Sequence, residues 1–227
     1  MVRPVPGSLR RPVPCSRSEP RPCATAVVGR AAFSRCGRYR WLLERRWLPP
    51  NRITPGGQGL NTLIYCGLNP SRADAGSDDP TLRRLCGFAR GWGYQRLVVL
   101  NLFALVTPSP AALRRHPFPI GAGNDAVLES WLQRWSLTAS VDLWLGWGAH
   151  GSLQGRDHWL LERLVSFAAL RRRRGAAAAF CLGTTQGGHP RHPLYRPASA
   201  MPQAWIGEQP CLLVQPGSKG PASTVRL

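Results

Sequence analysis

An α/β fold built on a parallel sheet is the class this sequence predicts, on three observations. Four short apolar runs have strand length: "NTLIYCGL" (61–68), "RLVVLNLF" (96–103), "VDLWLGWG" (141–148) and "AAAAFCLG" (176–183). Stretches with helical spacing lie between them, as in βαβ units. The runs are apolar throughout instead of alternating, as strands are when helices cover both sheet faces. The expectation is therefore four parallel strands at 61–67, 96–102, 141–147 and 177–182, with helices on both faces.

After the first strand, "DDPTLRRLCGFARGWG" (78–93) reads as a helix. Asp79 can cap it, Pro80 suits the first helical position, Leu82, Leu85, Phe88 and Ala89 share a face, and Gly91 and Gly93 stop it. After the second strand, Asn124 is expected to cap a helix with Val127, Leu128, Trp131, Leu132 and Trp135 on one side. After the third, "DHWLLERLVSFAALRRRR" (157–174) is a helix with Asp157 as the expected cap. Its terminal "RRRR" (171–174) reads as a solvated face that suits the negative end of the helix dipole. "YRWLLERRW" (39–47) is expected to be a helix or strand packed on the sheet; the sharper reading has Tyr39, Trp41 and Trp47 stacking bases.

Length and composition bound the rest. With 227 residues, one domain with a sizeable core is expected, spanning 30–207. Residues 1–25 are rich in Pro, Arg and Ser and are expected to form a disordered basic arm, and residues 208–227 a mostly disordered tail in which "CLLVQ" (211–215) could be a strand. Thirty basic residues against 11 acidic give a formal net charge of +19, which favours a polyanionic partner, nucleic acid first. The seven cysteines show no C-x-x-C spacing, so no metal site is signalled, and no cofactor is expected. Cys66 and Cys181 lie inside apolar runs, which fits reduced thiols in a cytoplasmic protein. No apolar run is long enough to span a membrane, and the N-terminus lacks a signal-peptide core. A monomer is expected.

The strand ends point to a site. In a parallel sheet the C-terminal ends share one edge, where α/β proteins bind ligands. Asn69, Asn101, His150, His189 and His192 should therefore gather at one crevice. "GLNPS" (67–71) puts a carboxamide at a strand end, with Pro70 holding residue 69 extended. The bland alternative is an Asn bonded to its own turn. Asn101 sits within a strand that should be buried, and a buried carboxamide must find partners.

These strand ends resemble the motifs of the uracil-DNA glycosylase superfamily. Gly67-Leu68-Asn69-Pro70-Ser71 looks like the G-I-N-P-G of its mismatch-specific branch. "VVLNLFALVT" (98–107) is similar to its L-L-L-N-x-x-L-T, "WLGWGAHG" (144–151) to its L-L-W-G-x-H-A, and "GHPRHPLY" (188–195) to its histidine loop H-P-S-P-L-S. The match covers about residues 60–200. More narrowly, "FSRCGRYR" (33–40), "LNPSRADAGSDDPTLRR" (68–84), "WGAHGSLQGRD" (147–157) and "GHPRHPLY" (188–195) resemble an uncharacterised bacterial family, domain of unknown function 1643. The resemblance implies a three-layer α/β/α sandwich with a four-stranded parallel sheet, uracil-DNA glycosylase-like. It also implies a base-recognising nucleic-acid protein, as a DNA glycosylase that hydrolyses the N-glycosidic bond of a damaged or mismatched base in DNA. Asn69 would then orient the water, Asn101 read the base edge, His192 or His189 stabilise the departing base, and Leu194 fill the gap in the stack. Gly67, Pro70, Ser71 and Tyr195 would complete the base pocket.

This sequence departs from that pattern in two places. The uracil-specific branch has Asp where Asn69 stands, so a slow reaction is expected. The histidine loop is one residue longer, so its matching histidine stays open. Asp74 is the carboxylate best placed by sequence to activate water or contact ligand, against an ordinary surface loop; Arg156 could also face the crevice. Two alternatives remain: a non-catalytic nucleic-acid or base-binding module, and an enzyme acting on free nucleosides or nucleotides.

Overall fold

The structure, a computed structural model, describes residues 27–47 and 61–205. In chain order its elements are β1 (Val27–Phe33), β2 (Arg40–Trp47), β3 (Thr62–Gly67), α1 (Pro80–Gly91), β4 (Arg96–Asn101), α2 (Pro110–Arg115), α3 (Asn124–Leu137), β5 (Val141–Leu145), α4 (Arg156–Arg173), β6 (Phe180–Cys181) and β7 (Gln203–Ala204). The expected basic arm (1–25) and the whole expected tail (208–227), "CLLVQ" included, lie outside the described residues.

All seven strands form one sheet, in the order β1-β2-β4-β3-β5-β6-β7. The four strands read from the sequence are neighbours in it and run parallel. The sheet is nevertheless not the expected four-stranded parallel one. Antiparallel β1 and β2 extend one side and antiparallel β7 the other, which makes it mixed. β6 is also shorter than expected, because the segment before it is held by α4: Arg171 Nε donates to Ala177 O at 2.9 Å and Ala176 N to Arg171 O at 3.3 Å.

Side chains alternate between two cores. Ile64, Cys66, Val98, Leu100, Leu143 and Leu145 meet Leu128, Leu132 and Trp135 of α3 and Leu160 and Leu164 of α4. Leu63, Tyr65, Leu97, Val99 and Trp144 meet Leu82, Leu85 and Phe88 of α1. Both faces are thus covered, which is why these strands are apolar throughout. Cys66 and Cys181 are buried free thiols; burial pushes Cys66 up to about 12.

β2 is a strand despite its charges. Glu44 and Arg45 are both 3% exposed, and each is matched. Glu44 accepts from Arg96 at 2.8 Å and also from Arg46. Arg45 pairs with Asp78 at 2.6 Å and donates to the carbonyls of Asp74 and Ser77, which ties the 73–79 loop to the sheet. Trp47 is strand core and not a base-stacking side chain, since its ring packs in the α1-side cluster. Buried charges persist only when paired in this way.

Helix starts show one agreement and two corrections, and the end of α4 a third. Asp79 caps α1, accepting from Leu82 N at 2.7 Å, with Pro80 first in the helix. Asn124 does not cap α3: Gly123, at φ +80°, precedes the helix, and Asn124 Nδ2 instead donates to Asn101 O and Leu102 O at 3.1 and 3.2 Å. α4 begins at Arg156 after Gly155, at φ +65°, so Asp157 falls in the first turn. Arg171 is no solvated cation: at 1% exposed it donates to Trp135 O, Thr138 O and Ala177 O and pairs with Asp142 at 3.0 Å. No helix among the described residues is long and apolar enough to cross a membrane.

Candidate functional site

The parallel strands deliver the ends of β3, β4 and β5 to one edge, and the 183–195 loop closes beside them. Between them lies a cavity of 530 Å³, within the usual range for small-molecule sites. Gly67, Leu68, Asn69 and Ser71 line it from β3, Asn101 and Thr107 from β4, Trp147 to His150 from β5, and Arg191, His192 and Tyr195 from the loop. Tyr65 forms part of its wall, with its hydroxyl donating to Gly146 O at 2.7 Å. The absence of a Cβ at Gly67 makes room here. A Cβ on Gly67 would stand 2.9 Å from the Tyr65 ring and 3.0 Å from Asn101 Oδ1. A broader groove of 710 Å³ lies around Tyr39, Trp41 and Phe118, but its lining is nearly all apolar. Two buried polar side chains, Arg40 and Asn101, line the strand-end cavity instead.

Asn69 is pinned. Its Nδ2 donates to Thr107 O at 2.6 Å, Pro70 O at 3.0 Å and Leu105 O at 3.3 Å. No donor among the described residues reaches its Oδ1, so the amide's acceptor end is left for solvent or ligand. Part of the bland reading is thus real, since one of the three bonds is to the adjoining Pro70. The other two cross to the segment after β4 and fix the orientation of the amide. Asn101 is 4% exposed, and its Nδ2 has no partner among the described residues. A buried donor left unpaired is costly and needs a reason, and a ligand acceptor supplies one.

His192 accepts from Leu194 N on Nδ1 at 3.3 Å, which leaves the proton of the neutral ring on Nε2. Burial lowers its pKa below the ordinary imidazole value, while the Asp79 carboxylate pulls the other way. The ring is therefore a neutral donor at pH 7. Asp79 is the sole carboxylate in the cavity lining among the described residues. One of its oxygens caps α1, so the other remains available.

The structure thus brings Gly67, Asn69, Ser71, Asn101, His192 and Tyr195 together, but not the other four candidates. Pro70 is buried behind the lining, its carbonyl accepting from Thr107 N. Asp74 lies on an exposed loop outside the cavity, where Oδ1 accepts from Gly76 N and Ser77 N at 2.8 Å each. Those bonds hold its carboxyl below the usual range. His189 points elsewhere, with Nδ1 3.5 Å from Asp157 Oδ2. Leu194 is 41% exposed on the single turn between His192 and Tyr195, outside the lining. Arg156 is also away from the cavity, buried against Asp125 and Leu102 O.

The polar lining residues that sequence reasoning passed over include Arg40, Tyr65, Asp79 as a site group, and Arg191. For Asp79 a signal existed. The helix that follows a parallel strand starts at that strand's C-terminal edge, so its cap stands at the ligand-binding edge. Arg40 had none, because its place depends on a strand pairing far along the chain. Among the described residues, no group of three His, Cys, Asp or Glu side chains converges to hold a metal ion.

No curated protein and no solved structure matches the chain. The sequence profile of the family described as "Protein of unknown function (DUF1643)" matches residues 40–194. That span takes in the cavity lining from Arg40 through His192. Since it covers well over half of the sequence, the chain belongs to this family.

Proposed function

We propose that the strand-end cavity recognises a nucleobase and catalyses hydrolysis of its N-glycosidic bond, as a glycosylase-like protein on the three-layer α/β/α plan. The observation that carries this reading is the pinned Asn69, whose NH2 group is consumed by backbone carbonyls while Oδ1 stays free. An amide held this way accepts a hydrogen bond from a water and orients it, but it is too weak a base to deprotonate it. The water oxygen forms a bond to C1′, and the C1′–N bond breaks with its electron pair passing to the base. The Nε2–H of His192 stabilises the negative charge that develops on the base. Asp79 takes the proton that the water loses, and the released base is protonated from solvent. Asn101 reads the base edge with its unpartnered carboxamide.

A net charge of +19 supports a nucleic acid as the carrier of that base. The test is single-turnover incubation with oligonucleotides carrying uracil, mismatched, deaminated or alkylated bases, followed by alkaline scission at the abasic product. Excision of one of these bases is expected. Base-dependent binding without scission across the panel would refute catalysis and leave a binding module.

A further inference from the structure

Four arginines are buried among the described residues: Arg40, Arg45, Arg156 and Arg171. Three are fully occupied. Arg45 pairs with Asp78, Arg156 with Asp125 and Arg171 with Asp142, and each also donates to backbone carbonyls. Arg40 differs. It is 4% exposed, and its side chain makes one hydrogen bond, from Nη1 to Ala73 O at 2.6 Å. Its Nε meets no partner, and no salt bridge among the described residues includes it. Arg40 forms part of the cavity wall.

Arg40 reaches that wall through an irregularity in β2. The register with β1 runs from Ala32↔Leu42 straight to Phe33↔Arg40, so Trp41 is an extra residue. In a regular strand, positions 40 and 43 face opposite sides. The bulge puts both on the α1 side, where Arg40 and Leu43 line the cavity together. Trp41 goes the other way, donating from Nε1 to Ala122 O at 2.8 Å. Bulges next to binding sites commonly re-aim a side chain in this manner. Burial lowers the Arg40 pKa to about 10 despite the nearby Asp79, so the group is still charged at neutral pH. Asp79 is close enough to act on the guanidinium but makes no ion pair with it; a buried cation that no carboxylate touches is costly, and a ligand anion in direct contact reduces the cost.

We infer that Arg40 binds the terminal phosphate of a nucleotide whose base lies in the same cavity, so that the ligand class is a nucleoside monophosphate, free or at the end of a strand. This rests on the base-recognising reading above. A phosphodiester running over the surface would not reach a side chain this deep, whereas a terminal phosphate enters with its nucleotide. Arg40 lies on β2, next to β4, which carries Asn101, and two strands from β3, which leads to Asn69. Two strand spacings amount to about 10 Å, comparable with the separation of base and 5′-phosphate in one nucleotide. α1 also begins at the cavity, and its dipole favours an anion there.

Isothermal titration of the full chain tests this with five kinds of probe: nucleosides, their 5′-monophosphates, inorganic phosphate, and single-stranded oligonucleotides with and without a 5′-phosphate. The monophosphates should bind at least tenfold more tightly than the nucleosides. Arg40→Gln should erase that advantage, and Arg40→Lys should restore part of it. If Arg40→Gln does not fold, the comparison on the parent chain and Arg40→Lys decide. A preference for the 5′-phosphorylated oligonucleotide over the free monophosphate would identify a strand end as the source. Equal binding of nucleosides and monophosphates overturns the role of Arg40 and leaves the base pocket standing. A monophosphate advantage that survives in Arg40→Gln overturns it as well. Inorganic phosphate binding as tightly as the monophosphates, with no nucleoside bound, upholds the anion site and sinks the base reading. Silence from every probe sinks both.

Discussion

Changing Asn69 to Asp tests the orientation of the one amide on which the proposed chemistry depends. In the parent, Nδ2 donates to Thr107 O at 2.6 Å, Pro70 O at 3.0 Å and Leu105 O at 3.3 Å. The Asp variant replaces that donor with a carboxylate oxygen facing the same three carbonyls. The bonding of the two amide hydrogens, about 1 kcal/mol each, is lost, and charge is placed against acceptors, so about 2–4 kcal/mol of stability should go at pH 8. With a urea m-value of about 2 kcal/mol/M, the midpoint should fall by about 1–2 M. The new carboxyl gains a proton more readily when folded, where its hydroxyl can donate to Thr107 O, so its pKa is raised above the unfolded value of about 3.9. A raised folded pKa means that the folded state binds the extra proton. The destabilisation is therefore greatest at high pH and shrinks as the pH falls through the folded pKa. Urea melts of parent and variant at pH 8 and pH 5 should show a smaller difference at pH 5. A variant as stable as the parent at pH 8 would refute the reasoning. The amide would then not face those carbonyls with its nitrogen, and its oxygen would not be the free acceptor.

Asp79→Asn should leave stability within about 0.5 kcal/mol, because Asn caps a helix as well as Asp does, while single-turnover excision falls at least tenfold; unchanged excision would remove Asp79 from the proposed proton path. Gly67→Ala places a Cβ 2.9 Å from the Tyr65 ring and 3.0 Å from Asn101 Oδ1; thermal melts should show a loss of about 1–3 kcal/mol, and base affinity should weaken with it. Arg171→Met removes a guanidinium that serves three carbonyls and Asp142, so urea unfolding should show a loss of about 3–5 kcal/mol. The His192 pKa is lowered by burial. The folded protein thus binds that proton less readily than the unfolded chain, and this contribution to stability is lost as the pH falls below the ordinary imidazole value of about 6.5. A pH–rate profile should accordingly stay flat through pH 6.5 and drop below it; a drop centred at or above 6.5 would contradict a buried neutral His192.

The middle of the fold was legible because it obeys local rules. β3, β4 and β5 are apolar runs of strand length, and Asp79-Pro80 announces α1 in two residues. The edges were not legible, because their stability comes from distant partners. Nothing near Arg40, Glu44 or Arg45 reveals that Ala73, Arg96 and Asp78 will meet them. Arg171 looked solvated for the same reason: the carbonyls it serves belong to α3 and to the segments after it and after α4. In the cavity, the strand-end rule located Asn69 and Asn101 by position alone. It could not separate His192 from His189, three residues away, since one loop conformation decides which ring turns inward. Asp74 and Asp79 divide similarly. The first is satisfied by its own loop, while the second is held by a helix start that the sheet directs to the cavity.

The extra residue in β2 makes the aim of Arg40 a matter of counting. Sheet faces alternate with parity, and Trp41 shifts the parity of everything before it relative to Leu43. A chain with the same arginine but without that residue would keep its charge and hairpin, yet carry the cation among the aliphatic side chains under α3. Insertion and deletion, more than substitution, are then the changes by which this edge of the sheet could gain or lose an anion ligand. Among relatives of this chain, the spacing between the arginine and the regular ladder that begins at Leu43 is the quantity to compare.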